Sequence, residues 1–226
     1  MGDRPANSAS NAMKRPPASA TARTPLGRLL LLLLLSAGPT AAETFHWETG
    51  KGWFGERILL PPSFAPDMSW KGLEEIRFAP GMFKADQPDF FSYALVFSLE
   101  PDTDLSPKAI KEQVLLYYQG LSLRVSASKG RKVDPSKFTI DMKPAVDKSG
   151  SAPVQAKDAK TYLATLNWVE PFATGKSQDL HLEIHAWKDA ASKRCYLFFC
   201  ASPQETHKPI RKKLREIRKA FRIRVE

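Results

Sequence analysis

The segment 194–200, which reads Arg-Cys-Tyr-Leu-Phe-Phe-Cys, limits more than any other how this chain can fold. Side chains of an extended strand alternate between its two sides. Here neither side carries charge after the first residue: one has Cys195, Leu197 and Phe199, and the other has Tyr196, Phe198 and Cys200. Such a strand is typical of the middle of a sheet that is covered on both faces. We therefore expect a layered domain with this strand near its centre.

Hydrophobic periodicity predicts the other elements. An entry segment, 47–70, precedes strands predicted at 72–78, 90–99, 138–146, 161–169, 179–187 and 194–200. A helix is expected after Ser106, a suitable N-cap followed by Pro107, and a second helix from about Pro209 to Phe221. The order predicts an α+β single domain with a mainly antiparallel sheet of about six to seven strands and two packed helices.

The N-terminal region has the pattern of a secretory signal peptide. Basic residues precede an unbroken leucine run, Leu29–Leu35, and small residues lead to Ala42. The run is too short to span a membrane, which takes about 20 apolar residues. We therefore expect a signal peptide at 1–42, with Met13 as an alternative start, and cleavage near Ala42. The predicted mature chain, 43–226, is then a single secreted or periplasmic domain without a transmembrane segment.

Three features of the predicted order are shared with a known family. A helix follows Ser106-Pro107, a break at Ser202-Pro203-Gln204-Glu205 follows the last strand, and the terminal helix ends in Ala220-Phe221-Arg222-Ile223. In this order of elements the chain resembles the PsbP-like group of secreted domains. The resemblance implies a small non-catalytic accessory or binding domain outside the cytoplasm, and it assigns a role to no residue.

The stretch 181–187 is the main candidate for chemistry. On a strand, His181, Glu183 and His185 share one face, and imidazole and carboxylate groups are zinc ligands. At about 3.3 Å per residue, His181 and His185 lie roughly 13 Å apart, so a zinc site needs one neighbouring pair and a ligand from elsewhere. One hypothesis is therefore a metal-dependent hydrolase that uses this face of the strand. The alternative, which we favour, is the solvated face of an amphipathic strand.

The C-terminal helix is strongly basic, and the whole chain has a formal net charge of +10. Its apolar stripe should stay docked on the sheet, because burying four apolar side chains contributes roughly 6–12 kcal/mol. The stripe consists of Ile210, Leu214, Ile217 and Phe221. Five basic residues are candidates to bind an anionic surface from the outer side of the helix: Arg211, Lys212, Arg215, Arg218 and Lys219. A merely solvated helix face is the alternative, and we favour it. Nucleic acid is not expected, since no base-stacking platform accompanies the charges.

Motifs for catalysis are missing from the sequence. There is no Gly-x-Ser-x-Gly elbow, phosphate-binding glycine loop or dinucleotide fingerprint. The adjacent acids Glu74 and Glu75 face opposite ways on a strand, which is poor geometry for shared acid–base work. Our expectation is a non-enzymatic binding domain without catalytic residues or a cofactor, zinc being the alternative. Its partner is an unidentified protein or envelope component, and its oligomeric state stays open.

Overall fold

A computed structural model describes residues 44–224, so the predicted signal peptide, 1–42, lies outside the described residues. The strands are β1 Thr44–His46, β2 Phe54–Leu60, β3 Gly72–Phe78, β4 Tyr93–Leu99, β5 Thr139–Ala145, β6 Lys160–Val169, β7 Ser177–Lys188, β8 Cys195–Ser202 and β9 Arg222–Arg224. The helices are α1 Pro107–Ser128 and α2 Pro209–Ala220. The predicted α+β class is confirmed, with both helices where the periodicity indicated.

Seven strands form one antiparallel sheet in the order β2-β3-β4-β8-β7-β6-β5. The predicted central strand is β8, which stands fourth of the seven and is buried along its whole length. Its alternating side chains belong to two separate apolar clusters, one on each face of the sheet. We call these faces the α1 face and the α2 face.

Helix α1 covers the larger cluster. The Ser106 hydroxyl accepts a hydrogen bond from the backbone N–H of Ala109, and Pro107 follows at the first helical position. Ile110, Val114 and Tyr118 are buried at four-residue spacing against the sheet. The helix therefore begins where the sequence predicted and buries the face that its periodicity indicated.

Helix α2 packs on the opposite face, mainly over β8 and β4. Leu214, Ile217 and Phe221 are fully buried there, which confirms that the apolar stripe of this basic helix docks on the sheet. Beside it, β1 and β9 form a two-stranded sheet that pairs the first described residues with the last. This pair was not predicted, because three-residue strands are too short to show a period.

The strand predicted at 90–99 begins later, at Tyr93. Phe91 has a φ of 46°, in the left-handed region, where a strand cannot continue. Its ring is nonetheless buried and lies 5.2 Å from the ring of Trp168, measured between centroids. The apolar pattern therefore predicted correctly that Phe91 is buried, but a tight turn at this residue interrupts the extended backbone.

Candidate functional site

The polar stretch of β7 is buried, not solvated as we expected. Glu183, His185 and Trp187 are 6%, 1% and 3% exposed, and only His181 is partly accessible. They lie on the α2 face, where α2 and the segment after β5 cover them. The expectation was wrong because a strand pattern shows which residues share a face but not whether a helix lies over it.

Three arginines of α2 surround the Glu183 carboxylate. Oε1 is 2.8 Å from Nη2 of Arg211 and 2.6 Å from Nη2 of Arg215, and Oε2 is 3.3 Å from Nη2 of Arg218. Burial alone would raise the pKa of Glu183, but the hydrogen bond from Arg215 and the three positive charges outweigh it and hold the pKa below its usual value. We call these four residues the Glu183 cluster.

The cluster changes the predicted anion-binding surface of α2. Arg211 and Arg218 are only 2% and 1% exposed, so their charges face inward, contrary to the expectation that they lie on the outer face. Arg215 is partly accessible and pairs with Glu183. Lys212 and Lys219 alone of the five candidates are exposed. An anionic partner stays a prediction, and it now concerns these two lysines.

His185 lies beside the cluster without a hydrogen-bond partner among the described residues on either ring nitrogen. Its Nε2 is 3.8 Å from Oδ2 of Asp147. Burial, followed by the charge of Arg218, lowers the pKa of His185 to about 4, against the weaker opposing effects of Asp147 and Glu183. Within residues 44–224, no three His, Cys, Asp or Glu side chains are grouped to hold a metal ion. The zinc site stays a prediction.

A second ionic group lies on the α2 face of β2 and β3. Oε2 of Glu75 is 2.7 Å from Nε and 2.6 Å from Nη2 of Arg57, while Oε1 accepts hydrogen bonds from Arg77 and, at 2.8 Å, from Nε1 of Trp47. The Arg77 guanidinium also lies 5.0 Å from the centre of the Trp47 ring, a cation–π contact. Glu75 therefore holds two guanidinium groups in fixed positions.

These groups line an open groove of about 490 Å³, which we call the β2–β3 groove. Its lining is Thr49, Trp53, Phe54, Gly55, Glu56, Arg57, Glu75 and Arg77. In contrast to the Glu183 cluster, it faces solvent: the side chains of Arg57 and Arg77 are 40% and 24% exposed. The groove is thus a polar, solvent-facing surface in which the Glu75 carboxylate binds the guanidinium groups of Arg57 and Arg77.

Sequence reasoning missed this groove. The strand register places Arg57 opposite Glu75 and Gly55 opposite Arg77, and neither pairing can be read from one strand alone. A signal was nevertheless present in Gly55, which interrupts an otherwise strand-like run. A Cβ at this position would lie 2.5 Å from Nη1 of Arg77 and 2.2 Å from the carbonyl oxygen of Ile76, so the glycine makes room for the arginine.

Glu74 confirms that the two adjacent acids face opposite ways. It lies on the α1 face, 1% exposed, and its Oε1 accepts a hydrogen bond of 2.9 Å from the Tyr117 hydroxyl. Burial raises the pKa of Glu74 to about 8, although the Tyr117 bond lowers it and the nearby charge of Glu56 adds to the rise. This acid is enclosed in the core and borders neither the groove nor the Glu183 cluster.

Neither described helix has both the length and the apolar content needed to cross a membrane. No family model matches the chain, and no curated protein matches it. Solved structures that resemble the chain in fold include LpqN and CyanoP. LpqN, described as involved in cell envelope biogenesis of Mycobacterium tuberculosis, is 10% identical, with 82% of this chain and 86% of LpqN covered and a TM-score of 0.33.

The second structure is the PsbP protein CyanoP from Synechocystis sp. PCC 6803. It is 7% identical, with 85% of this chain and 99% of CyanoP covered and a TM-score of 0.35. The predicted resemblance to PsbP-like domains is thereby confirmed as a resemblance of fold only. It assigns no ligand, partner or residue role to this chain.

Proposed function

We propose that the protein is exported and acts outside the cytoplasm as a non-enzymatic accessory domain, binding an envelope component or another protein through the β2–β3 groove. The leader-like segment 1–42 supports export. The observation that carries the binding role is the groove itself, an open surface in which Glu75 and Trp47 hold Arg57 and Arg77 in place.

Ordered guanidinium groups suit recognition. Arginine presents its donors in a planar fork that matches carboxylates, and holding the side chain in advance reduces the entropy lost on binding. Leu59 lies on the same face of β2, two residues from Arg57, and is 65% exposed. An exposed leucine beside ordered arginines combines an apolar contact with polar specificity. Binding by shape and charge therefore accounts for this surface without a chemical step.

The enzyme alternative centres on His181, Glu183 and His185. The Glu183 carboxylate is engaged by three guanidinium groups, so a substrate or metal would have to displace Arg211, Arg215 and Arg218 to reach it. Metal analysis of the purified protein tests this alternative. Stoichiometric zinc that disappears in a His185→Ala variant would contradict the proposed non-enzymatic role.

Site-specific photo-crosslinking tests the binding role. A photoreactive amino acid is introduced at Leu59, and at Leu163 of β6 as the matched control, in cells that export the protein. Both leucines are exposed and lie on the same face of the sheet, but only Leu59 is near the groove. We expect one discrete adduct from position 59, none from position 163, and a several-fold lower yield when Arg57→Glu is added.

A second charge variant tests whether formation of the adduct depends on a charge in the groove or on the overall charge of the protein. Lys143→Glu alters an exposed charge on β5, at the other end of the sheet, and should leave the adduct at position 59 unchanged. Equal adducts from positions 59 and 163, or a loss of adduct with Lys143→Glu as large as with Arg57→Glu, would count against the groove as the binding site.

A further inference from the structure

We propose that the partner bound at the groove adds an extended segment to the outer edge of β2, pairing with it as an additional strand that carries a carboxylate opposite Arg57. This inference rests on the proposed binding role and specifies its partner. Strand addition supplies main-chain hydrogen bonds along the edge, and the side chains that alternate along the added segment supply specificity.

The two edges of the large sheet differ in what they offer to another strand. Among residues 44–224, β2 and β5 are each paired on one side only. Strand β5 contains Pro144, which has no N–H to donate, and carries the exposed charges of Asp141 and Lys143. Proline and lysine are devices by which edge strands avoid pairing. Strand β2 is also seven residues long and contains neither.

The side chains of β2 define the chemistry of the added segment. Gly55, Arg57 and Leu59 are exposed on the α2 face, where the groove lies, while Glu56 and Ile58 point to the α1 face. Residues directly opposite each other in an antiparallel pair share a face. Successive side chains of the segment should therefore lie on alternate faces. An acid is expected opposite Arg57 on the α2 face, and a base opposite Glu56 and an apolar residue opposite Ile58 on the α1 face.

The charges of β2 disfavour a second copy of the same chain as the occupant. When two β2 strands pair about a two-fold axis at the charged middle of the strand, either Arg57 or Glu56 faces its own copy. Like charges that lie directly opposite each other destabilise a strand pair. On the α2 face, β2 and β3 together carry two arginines and one glutamate, which favours an acidic partner residue there. The occupant is therefore a different chain.

Hydrogen–deuterium exchange of the full chain with a synthetic probe tests this inference. The probe is the capped heptapeptide Val-Thr-Ile-Glu-Lys-Thr-Val, whose Glu and Lys lie opposite Arg57 and Glu56 in the antiparallel register. Alternate N–H groups of an antiparallel strand point to each of its sides. We expect the probe at millimolar concentration to slow exchange at the outward N–H groups of β2 and to leave β5 unchanged.

A second probe, with Lys in place of Glu, tests the carboxylate. The Glu probe should bind about two- to five-fold more tightly, as expected for one opposite-charge pair across strands. Arg57→Met should abolish this preference and Arg57→Glu should reverse it, while Lys143→Glu leaves it intact. Equal binding of the two probes to the unaltered chain, or no slowing of exchange in β2, would overturn the inference.

The two proposals fail in different ways. If the adduct at Leu59 forms but neither the adduct nor the probe slows exchange in β2, the groove binds a partner without strand addition, and only this inference is wrong. If the probe protects β2 but no adduct forms in cells, the edge is competent for pairing but the proposed function is wrong. Unfolding curves of each Arg57 variant, matched to those of the unaltered chain, establish that the fold is retained.

Discussion

Two buried ionisable side chains, one on each face of the sheet, contribute to the dependence of this protein's stability on pH. Glu74 has a pKa raised to about 8 and His185 a pKa lowered to about 4, in both cases first because burial disfavours the charged form. Each group is therefore neutral at pH 7. Their contributions to the free energy of unfolding change with pH in opposite directions.

Glu74 makes the fold less stable as pH rises. Between the ordinary pKa of 4.5 and about 8, the folded state keeps a proton that the unfolded state has lost, so stability falls by about 1.4 kcal/mol per pH unit. Glu74→Gln, which stays neutral, should remove this slope. Urea unfolding from pH 5 to 9 measures it, and an unchanged slope in the variant would contradict the raised pKa.

His185 makes the fold less stable as pH falls. Between pH 6.5, the ordinary pKa of histidine, and about pH 4, the unfolded state binds a proton that the folded state does not bind. The free energy of unfolding therefore falls by about 1.4 kcal/mol for each pH unit toward low pH. Between pH 4.5 and 6.5 the contribution of Glu74 to the pH dependence of stability opposes that of His185. The Glu74→Gln variant should therefore reveal the contribution of His185. In urea unfolding, adding His185→Leu to Glu74→Gln should abolish this loss of stability toward low pH. Adding His207→Gln, at an exposed position, should not abolish it.

At the scale of elements, the attachment of α2 to the sheet combines an apolar stripe with a buried ionic cluster. Leu214 and Ile217 pack in the apolar contact. The negative charge of Glu183, on the sheet, compensates the positive charges of the guanidinium groups that α2 buries against the sheet. A buried ion pair contributes little by itself, because taking its charges out of water opposes their attraction. Removing one partner is costly, because the others stay buried without compensation.

Glu183→Gln should therefore be strongly destabilising. It leaves Arg211 and Arg218 buried without their counter-charge, for which we expect a loss of about 3–5 kcal/mol in the free energy of unfolding. Asp141→Asn is the matched control, since Asp141 pairs with Lys143 at an exposed position and should contribute less than about 1 kcal/mol. Similar losses from both variants, measured by denaturant unfolding, would contradict the role of the cluster.

At the scale of the whole molecule, the two ends of the described chain meet on the α2 face. Strand β1 pairs with β9, and the ring of Trp47 lies 4.9 Å from Phe221 and 5.5 Å from Phe198, measured between centroids. Trp47 also donates a hydrogen bond to Glu75. One side chain thus connects the chain ends, the centre of the sheet and the β2–β3 groove.

Trp47→Ala and Trp47→Phe separate these contributions. The alanine variant loses ring packing and the hydrogen bond, and should lower the free energy of unfolding by about 3 kcal/mol. The phenylalanine variant keeps most of the packing and should lose about 1 kcal/mol, the usual contribution of a hydrogen bond. Equal losses in the two variants, measured by urea unfolding, would show that the packing of the ring is not what joins the chain ends.

Local patterns in the sequence were sufficient for both helices, for six of the seven strands of the large sheet and for the layering. The alternation in Cys195–Cys200 predicted a central strand, and Ser106-Pro107 predicted where α1 begins, because burial period and capping are properties of neighbouring residues. The same patterns predicted which face α2 buries and that Glu74 and Glu75 point apart. These conclusions needed no knowledge of which strands are neighbours.

Only the tertiary structure decided which charges are buried and which are exposed. Arg211 and Arg218 face inward because Glu183, 28 and 35 positions earlier in the chain, lies beneath the helix. The β2–β3 groove exists because strand register sets Arg57 and Arg77 around Glu75, and Trp47 contacts Glu75 and Arg77 from a distant part of the chain. Charge interactions depend on distance in space and on exclusion of water, and neither quantity is contained in the order of residues along one strand or helix.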